Sequence, residues 1–437
     1  MIEIFTCFAN LRLDSVKFVK LLNCLRTEGK ELVSLESKIK VLSIAGINLL
    51  DKGMIEWISR NRTNYNNPSD HSSDLFIENH DLYFIINHHI ASIGKDTLEI
   101  GLITKDSKNG KTNLSKFSYQ VTDAIKNSID GRQHRHYDLG WYVTKPHYEL
   151  QYRLNWNKKY FATSLAENKL KTAPILKDRE VRDTLIKISR SKYAKLEKTD
   201  SLSENKIISC LLTNGLIERG LQVSCKNGSR PYDFVITDDD YNFPSENKSI
   251  CKKCSNIYTN ENLQKGFALT TLGTELIETS NWMTILLTQS LYTNGIPLTN
   301  IIINLSEDSE EIDCIVDFKG KNWIFELKDS SFDAGHAHPF IYRAIKYKAK
   351  KIVIVTTEKV SPDARKIFKE ILSSYSAAID FDEVVYIEGI ENLDDRITEI
   401  LRNERIDLIN KKIKELSILT SINLRPIYKK LFNEVSV

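Results

Sequence analysis

The residues best suited to chemistry lie in one short segment, residues 311–328, which places acids and lysines among strand-like apolar residues. A two-residue turn at Lys319 and Gly320 would fold this segment into a β-hairpin. The pairing that this turn imposes sets Asp313 directly across from Glu326. The sequence therefore predicts two carboxylates facing each other on neighbouring strands.

The chemistry expected of this arrangement is metal-assisted attack on a phosphate. Two carboxylates about 4.5–5.5 Å apart at Cβ repel each other unless a cation lies between them. Mg²⁺ (or Mn²⁺) suits the position, because hard divalent ions combine one or two carboxylates with a substrate phosphate. Lys328 would point to the same face as Glu326, where its amine could orient a water and stabilise charge on phosphorus. Asp313, Glu326 and Lys328 are therefore candidate catalytic residues for phosphodiester hydrolysis, with Asp313 and Glu326 as metal ligands.

This pattern resembles the PD-(D/E)XK nuclease superfamily, which has the restriction endonuclease-like fold. The resemblance rests on Asp313, on the triplet from Glu326 to Lys328, and on a predicted order of helix, three strands, helix and strand over about residues 271–387. It implies that Asp313 and Glu326 ligate the metal and that Lys328 is the catalytic lysine.

The resemblance also implies roles for residues outside the hairpin. Many members carry a further acid on the first helix, which gives Glu278 a catalytic role, with Glu275 as the alternative. Polar residues on the helix after the lysine strand often contact DNA, which implies such a contact for Arg343. Neither position is diagnostic by its spacing.

Two histidines, His336 and His338, lie in the segment after the lysine strand. They could ligate a transition metal or lie beside the scissile phosphate, which makes them candidate nucleic-acid-binding residues. The structural alternative is that they are surface histidines capping a helix that begins near Pro339.

The Glu-x-Lys triplet has little specificity by itself, because the chain contains six of them. The one at Glu326 lies on a strand-like run with an acid across a hairpin, which sets it apart from the other five. A purely structural alternative is an exposed charge network in which Lys328 neutralises Glu311. A further alternative is a nuclease fold that does not cleave.

Cysteines predict a second metal site. Cys251 and Cys254 have the spacing of a zinc knuckle, Cys225 could supply a third ligand and Cys210 a fourth. A structural Zn²⁺ is therefore expected. Because the position three after Cys225 is Gly228 and not cysteine, a degenerate zinc-ribbon-like module held by packing is the alternative.

Three regions are expected along the chain. Residues 1–173 form a basic, aromatic region of α+β class that would bind nucleic acid or set specificity. Residues 174–267 contain two helical runs and a hairpin arm, the outline of a winged helix, with the zinc-ribbon-like insert. Residues 268–437 are expected to form an α/β nuclease domain, a mixed sheet flanked by helices with further helices at its C-terminus.

Composition excludes several classes of protein. Hydrophobic residues make up 41% and charged residues 27% of the 437 positions, which excludes a disordered or collagen-like chain. No apolar run approaches the roughly 20 residues of a bilayer-spanning helix, and no basic segment opens the chain, so a cytoplasmic protein without a membrane anchor is expected. Seven cysteines are too few for a disulfide scaffold.

The net charge of +3 hides an asymmetry. Residues 105–195 contain 20 Lys and Arg against nine Asp and Glu, whereas residues 271–437 contain 21 against 26. Aromatic residues are interleaved with the basic ones, which suits phosphate contact and base stacking, although a solvated surface over an aromatic core has the same composition. DNA is the expected partner, and the basic region would supply most of the affinity.

The function expected is therefore that of a metal-dependent DNA endonuclease, by analogy a restriction or anti-phage defence enzyme. Cutting both strands needs two active sites, so a homodimer is expected, and a partner subunit is possible in principle. The alternatives are a non-cleaving nucleic-acid-binding regulator or assembly factor on the same fold, and an RNA nuclease that uses the same residues.

Overall fold

The computed structural model of the protein describes residues 2–11, 13–28, 33–34, 73–88, 97–128, 140–141, 162, 166–190, 194–195, 202–228, 231–238, 240–243, 249–307, 310–374, 381, 383–420, 424–425 and 428. The chain divides into two compact units, Met1–Lys145 with Glu399–Val437, and Pro146–Thr398. Among the described helices, none has an apolar stretch long enough to cross a bilayer.

The first unit is built on a five-stranded antiparallel sheet with the strand order β1-β5-β4-β3-β2. Its elements are β1 (Glu3–Asn10), α1 (Ser15–Glu28), β2 (Val33–Ser34), β3 (Ser73–Glu78), β4 (Asp81–His88), β5 (Thr97–Thr104) and α2 (Gly110–Ser128). Buried residues of α1 and α2, such as Leu21 and Phe117, pack on one face of this sheet. Ile409 and Ile413, from the last part of the chain, pack on the other face.

The second unit contains a helical and β module in its first half. Its elements are α3 (Glu167–Thr172), α4 (Arg179–Arg190), β6 (Ala194–Lys195), α5 (Leu202–Thr213), β7 (Ile217–Ser224), β8 (Pro231–Ile236) and β9 (Asn262–Leu269). The strands form a sheet with the order β6-β9-β7-β8. Gly215 follows α5 with φ of 65°, a left-handed conformation that ends the helix as the sequence predicts. The two helices and the strand after them are confirmed, and the winged-helix assignment stays a prediction.

The remainder of the second unit is the mixed sheet that carries the candidate hairpin. Its elements are α6 (Thr271–Ile277), α7 (Asn281–Thr293), β10 (Ile301–Glu307), β11 (Glu310–Phe318), β12 (Lys321–Lys328), α8 (Ala334–Lys346), β13 (Lys351–Thr356), α9 (Pro362–Ser374), β14 (Glu383–Glu388) and α10 (Leu393–Thr420). The sheet order is β10-β11-β12-β13-β14, antiparallel up to β12 and parallel beyond it. This confirms the expected α/β class with a mixed sheet.

One face of the mixed sheet is covered by α8 and α9. Phe340 of α8 and Phe368 of α9 pack against sheet residues that include Ile324 and Ile354. These side chains recur at helical spacing on the helices and at alternate positions on the strands, as burial of one face requires. Glu326 lies between the buried residues Phe325 and Leu327 of β12.

The structure differs from the expected elements at three places. The helical run expected from Glu275 is two helices, because a turn of 3₁₀ helix at Glu278–Ser280 separates α6 from α7 and Ser280 has φ of 53°. The helix expected near Pro339 begins at Ala334. The C-terminal helices were expected in the nuclease domain, whereas the chain from Glu399 onward belongs to the first unit.

The turn between β11 and β12 has the predicted geometry. Lys319 and Gly320 have φ of 49° and 91°, which are the positive values of a two-residue hairpin turn. The Gly320 N–H donates to Asp317 Oδ1 at 2.9 Å. The strands pair from Phe318 opposite Lys321 to Cys314 opposite Phe325, in the register derived from the sequence.

Replacing Gly320 by alanine should destabilise the protein, because a side chain at this positive φ costs about 1–2 kcal/mol. Gly335→Ala is the matched control, since a Cβ at this helical glycine meets no atom within 4 Å. The Gly335→Ala variant should be more stable than the parent protein by about 0.4–1 kcal/mol, because alanine restricts the unfolded chain. Urea unfolding of both variants measures the two effects, and equal shifts of the same sign would contradict the turn assignment.

Candidate active site

Asp313 and Glu326 lie at the point where the regular pairing of β11 and β12 ends. The last backbone pair is Cys314 with Phe325. At the next position the Asp313 carboxylate takes the place of a backbone acceptor, because its Oδ2 accepts a hydrogen bond from the Leu327 N–H at 2.6 Å. The hairpin therefore brings the two acids onto neighbouring strands as predicted, but the ladder ends one pair before the predicted direct pairing of Asp313 with Glu326.

The pairing of Asp313 with the strand on its other side is also interrupted. Pairs on either side join Ile303 to Cys314 and Leu305 to Ile312, and between them Asn304 has φ of 47°. A left-handed residue inside a strand produces a local irregularity of the kind that re-aims side chains near functional sites. Asp313 thus lies at a break in the ladder on both of its edges.

Glu326 is buried between two cations. The Lys328 Nζ lies 3.2 Å from its Oε1, and the Arg343 Nη2 lies 3.0 Å from its Oε2. Only 3% of the Glu326 residue is exposed. Arg343 also donates to the Glu311 carbonyl oxygen, so its guanidinium is fixed at the hairpin end. Lys328 therefore faces the site with Glu326, as expected from strand alternation.

Arg343 is turned inward and contacts Glu326. The sequence assigned this residue to DNA, and the contact with Glu326 was not foreseen. Only 15% of the Arg343 side chain is exposed, and its guanidinium is paired with Glu326. A DNA contact by Arg343 stays a prediction. Helical spacing on α8, which covers this face, was the signal that could have placed it at the site.

Burial and the neighbouring acid dominate the electrostatics of the site. Burial, and then the charge of Glu326, raise the pKa of Asp313, while the Leu327 N–H, Lys328 and Arg343 lower it, and the net result is a pKa of about 7. Near neutral pH the site therefore holds a partly protonated Asp313 beside Glu326, Lys328 and Arg343. A buried acid whose pKa is raised by burial and by a neighbouring charge is typical of a metal or catalytic site.

The donor set of this site fits a hard divalent cation. Within the described part of the chain, no donor aligns with the buried Glu326 Oε2 to make a hydrogen bond, although the Arg343 guanidinium lies at ion-pair distance. A buried carboxylate oxygen without a well-aligned hydrogen bond retains a lone pair for another partner. Asp313 and Glu326 together offer the oxygen ligands that Mg²⁺ prefers.

A buried ion pair anchors the end of β12 beside the site. Asp329, directly after Lys328, pairs with Arg182 Nε of α4 at 2.8 Å and accepts from the Thr357 hydroxyl at 3.2 Å. Arg182 stacks on the Trp282 ring at 5.2 Å. Sequence reasoning missed this pair, whose members are 147 positions apart. It fixes the backbone that carries Lys328.

His336 has a structural role at the start of α8, and among the described residues no hydrogen bond or ion pair joins His336 or His338 to Asp313 or Glu326. His336 Nδ1 accepts the Asp333 N–H at 3.0 Å and forms a capping box at the start of the helix. Its ring also packs on Phe332, with centroids 5.4 Å apart. His338 is exposed. The capping alternative is therefore supported for His336, with the helix beginning five residues earlier than expected, and nucleic-acid contacts of both histidines stay predictions.

The expected additional acid is not brought to the hairpin. Glu278 is exposed in the 3₁₀ turn between α6 and α7, and in the described residues no hydrogen bond or ion pair joins it to Asp313 or Glu326. Glu275 pairs instead with Lys169 at 2.8 Å. Within the basic, aromatic segment of residues 105–195, residues 129–139 and 142–161 lie outside the described residues.

Cysteines form a second group, with one ligand that differs from the expectation. Ligand atoms of Cys225, Cys251, Cys254 and Glu261 all lie within 4.8 Å of one another. Cys210 was expected as the fourth ligand, and this is wrong: its Sγ lies on α5, 3.7 Å from the Asn214 side-chain amide. Glu261 takes that position, because it begins the approach to β9, which pairs with β7 beside Cys225.

A third group of potential ligands lies in the first unit. His88, Glu99 and Glu415 are close together, but the Lys412 Nζ lies 2.9 Å from Glu99 and 2.7 Å from Glu415. Burial opposes ionisation of Glu99, yet His88 and Lys412 hold its pKa below the usual value. The ammonium group pairs with both acids and His88 lies at hydrogen-bond distance from Glu99, so this group is explained as an ion-pair network without a metal.

Comparison with known proteins gives no family. No family model matches the sequence, and no curated protein matches it. Among solved structures, protein VC1899 from Vibrio cholerae aligns over 55% of this chain and 57% of its own, at 11% identity and with a TM-score of 0.31. The alignment thus spans little more than half of either chain, and this likeness is too weak to carry an argument on fold or function.

Asp313→Asn should change how stability depends on pH. With a folded-state pKa of about 7 and an unfolded value near 3.9, Asp313 favours the folded state at low pH, and this contribution is lost as the pH rises through 7. Asparagine keeps an acceptor for the Leu327 N–H and does not ionise.

In magnesium-free buffer, the variant should therefore gain about 2–3 kcal/mol over the parent protein between pH 5 and pH 8. Urea unfolding at several pH values measures this difference. Asp363→Asn, at an exposed position of α9, is the control and should follow the parent protein. Parallel profiles for the parent and Asp313→Asn would show that Asp313 is not a buried titrating acid.

Proposed function

We propose that this protein is a metal-dependent endonuclease that hydrolyses DNA phosphodiester bonds, with its active site on a C-terminal domain of the PD-(D/E)XK type. The observation that carries the proposal is the cluster at the end of the β11–β12 hairpin: two buried acids, Asp313 and Glu326, with the Lys328 amine 3.2 Å from Glu326. The strand order of the mixed sheet supports it.

In this proposal Asp313 and Glu326 hold the cation through their carboxylate oxygens. Mg²⁺ or Mn²⁺, when bound, supplies Lewis-acid stabilisation of the phosphoryl oxygens and orients the substrate phosphate. Lys328 is partly exposed, so its amine can reach substrate as well as Glu326. It would orient the attacking water and offset the negative charge that develops on phosphorus.

Protonation of Asp313 sets a condition for activity. A carboxylic acid must lose its proton before it ligates a hard cation, and the pKa of Asp313 is raised to about 7 by burial and by Glu326. Cation affinity should therefore increase as the pH rises toward 7 and above. Arg343, 3.0 Å from Glu326, would keep that carboxylate oriented toward the cation.

A non-cleaving nucleic-acid-binding protein on the same fold is the second candidate. One observation favours it: Glu326 already has two cationic partners, Lys328 and Arg343, which satisfy its charge without a metal. An RNA nuclease is the third candidate, since the same residues would assist hydrolysis of an RNA or a DNA backbone. The two are separated from the main proposal by the cleavage assay below.

Substrate binding is assigned to the basic region upstream of the nuclease domain. The excess of basic residues between positions 105 and 195 favours contact with phosphates, whereas residues 271–437 carry a net negative charge. A homodimer would let two active sites cut both strands. A role in restriction or anti-phage defence is proposed by analogy with enzymes of this fold class alone.

Lys328→Ala should abolish most cleavage of supercoiled plasmid in the presence of Mg²⁺. Loss of one group that stabilises the transition state typically lowers the rate about 10²–10³-fold. The matched control is Lys321→Ala, which removes a lysine from the other end of β12, at the turn. Gel analysis of nicked and linear products over time measures both rates, and thermal unfolding checks that each variant folds.

The outcomes separate the three candidates. Cleavage by the parent protein and Lys321→Ala, with loss in Lys328→Ala, supports the proposed nuclease. Equal cleavage by all three proteins indicates a contaminant, and no cleavage by any of them favours the non-cleaving candidate. Addition of single-stranded and duplex RNA as competitors decides between DNA and RNA as the substrate.

A further inference from the structure

We infer that Cys225, Cys251, Cys254 and Glu261 form a structural zinc site that fixes the insert between β7 and β9 to the sheet. This site is separate from the hairpin acids and does not depend on the proposed nuclease activity. The class of ligand is a thiophilic divalent transition metal, for which Zn²⁺ is the common choice in proteins.

The distances between the four ligand atoms are slightly longer than those in a tetrahedral zinc site. They all lie within 4.8 Å of one another. In tetrahedral zinc coordination with Zn–S bonds of about 2.3 Å, neighbouring sulfurs are roughly 3.8 Å apart. A contraction of about 1 Å or less would therefore bring the group to bonding distance, which side-chain rotation can provide.

Backbone geometry supports the pair Cys251 and Cys254. The Cys251 carbonyl accepts the Ser255 N–H at 2.8 Å, while the Cys251 N–H donates to the Asn256 carbonyl at 2.8 Å. Ser255 has φ of 58°, so the chain reverses tightly after the second cysteine. Cys225 is held in a second turn, in which its carbonyl accepts the Gly228 N–H at 2.9 Å. Two tight turns thus present the three sulfurs to a common centre.

Glu261 is positioned as the fourth ligand. Its Oε1 accepts the Cys254 thiol at 2.7 Å, and its Oε2 accepts the Lys226 N–H at 2.6 Å. The backbone bond orients the carboxylate, as a second hydrogen-bond partner does for many ligating side chains. Metal binding would release the Cys254 thiol proton to solvent, and the hydrogen bond between Cys254 and Glu261 would be replaced by a bond from each residue to the ion.

The insert needs such a link because its apolar core is small. Among the described residues, its buried cluster is Val223 of β7, Val235 of β8 and Tyr258, with Phe243 and Leu263 partly buried against it. A cluster of this size buries little apolar area, and small modules of this kind are usually stabilised by a metal or a disulfide. The cysteines and Glu261 connect both ends of the insert and the turn between them.

Ligand chemistry favours zinc over the alternatives. Three sulfurs exclude Mg²⁺ and Ca²⁺, which take oxygen ligands. Four protein ligands leave no open position, which is typical of structural and not of catalytic zinc. The Glu261 carboxylate accepts two hydrogen bonds, from the Cys254 thiol and from the Lys226 N–H, so Glu261 is not a free surface acid.

Metal analysis of purified, untagged full-length protein tests the inference. Plasma emission spectrometry should find one zinc per chain in the parent protein and in Cys210→Ser, which removes a cysteine of the same module outside the group. Cys254→Ser should lose most of the zinc. Asp313→Asn should retain it, so that failure of the proposed nuclease site does not affect the result.

A second measurement covers the case in which Cys254→Ser does not fold. Reconstitution of the chelator-treated parent protein with Co²⁺ should produce the sulfur-to-cobalt charge-transfer and tetrahedral d–d absorption bands, and Glu261→Gln should alter the d–d bands. Less than one tenth of a zinc per chain in the parent, together with absence of these bands, overturns the inference. Equal zinc in Cys254→Ser and Cys210→Ser overturns it as well.

Discussion

Burial of two neighbouring acids is the constraint on which the candidate active site depends. Removing an ionised carboxylate from water costs several kcal/mol unless cations or hydrogen bonds compensate. Asp313 has one backbone N–H and keeps its proton up to about pH 7, while Glu326 has Lys328 and Arg343. The proposed Mg²⁺ would take the place of the proton on Asp313. Strand β12 carries Lys328 and the Leu327 N–H, and α8 carries Arg343.

Much of the fold that carries the hairpin could be predicted from local patterns. The positive-φ turn at Lys319 and Gly320 determines the register, so the pairing of β11 with β12 follows from two residues. β13 (Lys351–Thr356) is a continuous apolar run, as expected for a strand that is paired on both edges in a parallel arrangement. Local patterns were less informative where a helix is interrupted or where a later part of the chain packs against an earlier one. Ser280, with its positive φ, interrupts the helical run expected from Glu275, and the C-terminal part of α10 packs in the first unit.

The site could be predicted only as far as the hairpin extends. Asp313, Glu326 and Lys328 are related by register, which the sequence contains. Arg343 reaches Glu326 from a helix packed over the sheet, and Arg182 reaches Asp329 from a helix far earlier in the chain. Those contacts depend on how layers pack, which no local spacing records. The cysteine group contains Glu261 and not the expected Cys210 for the same reason. The pairing of β9 with β7 places Glu261 beside Cys225, and local spacing does not contain that pairing.

Diffraction from crystals soaked in Mn²⁺, measured with anomalous scattering, tests the central claim most directly. The account predicts one strong anomalous peak bonded to carboxylate oxygens of both Asp313 and Glu326 at pH 8, with Lys328 beside it. The same peak should be missing from crystals of Asp313→Asn. A map without a peak at this position, with the Arg343 guanidinium still against Glu326, would contradict a metal-dependent active site.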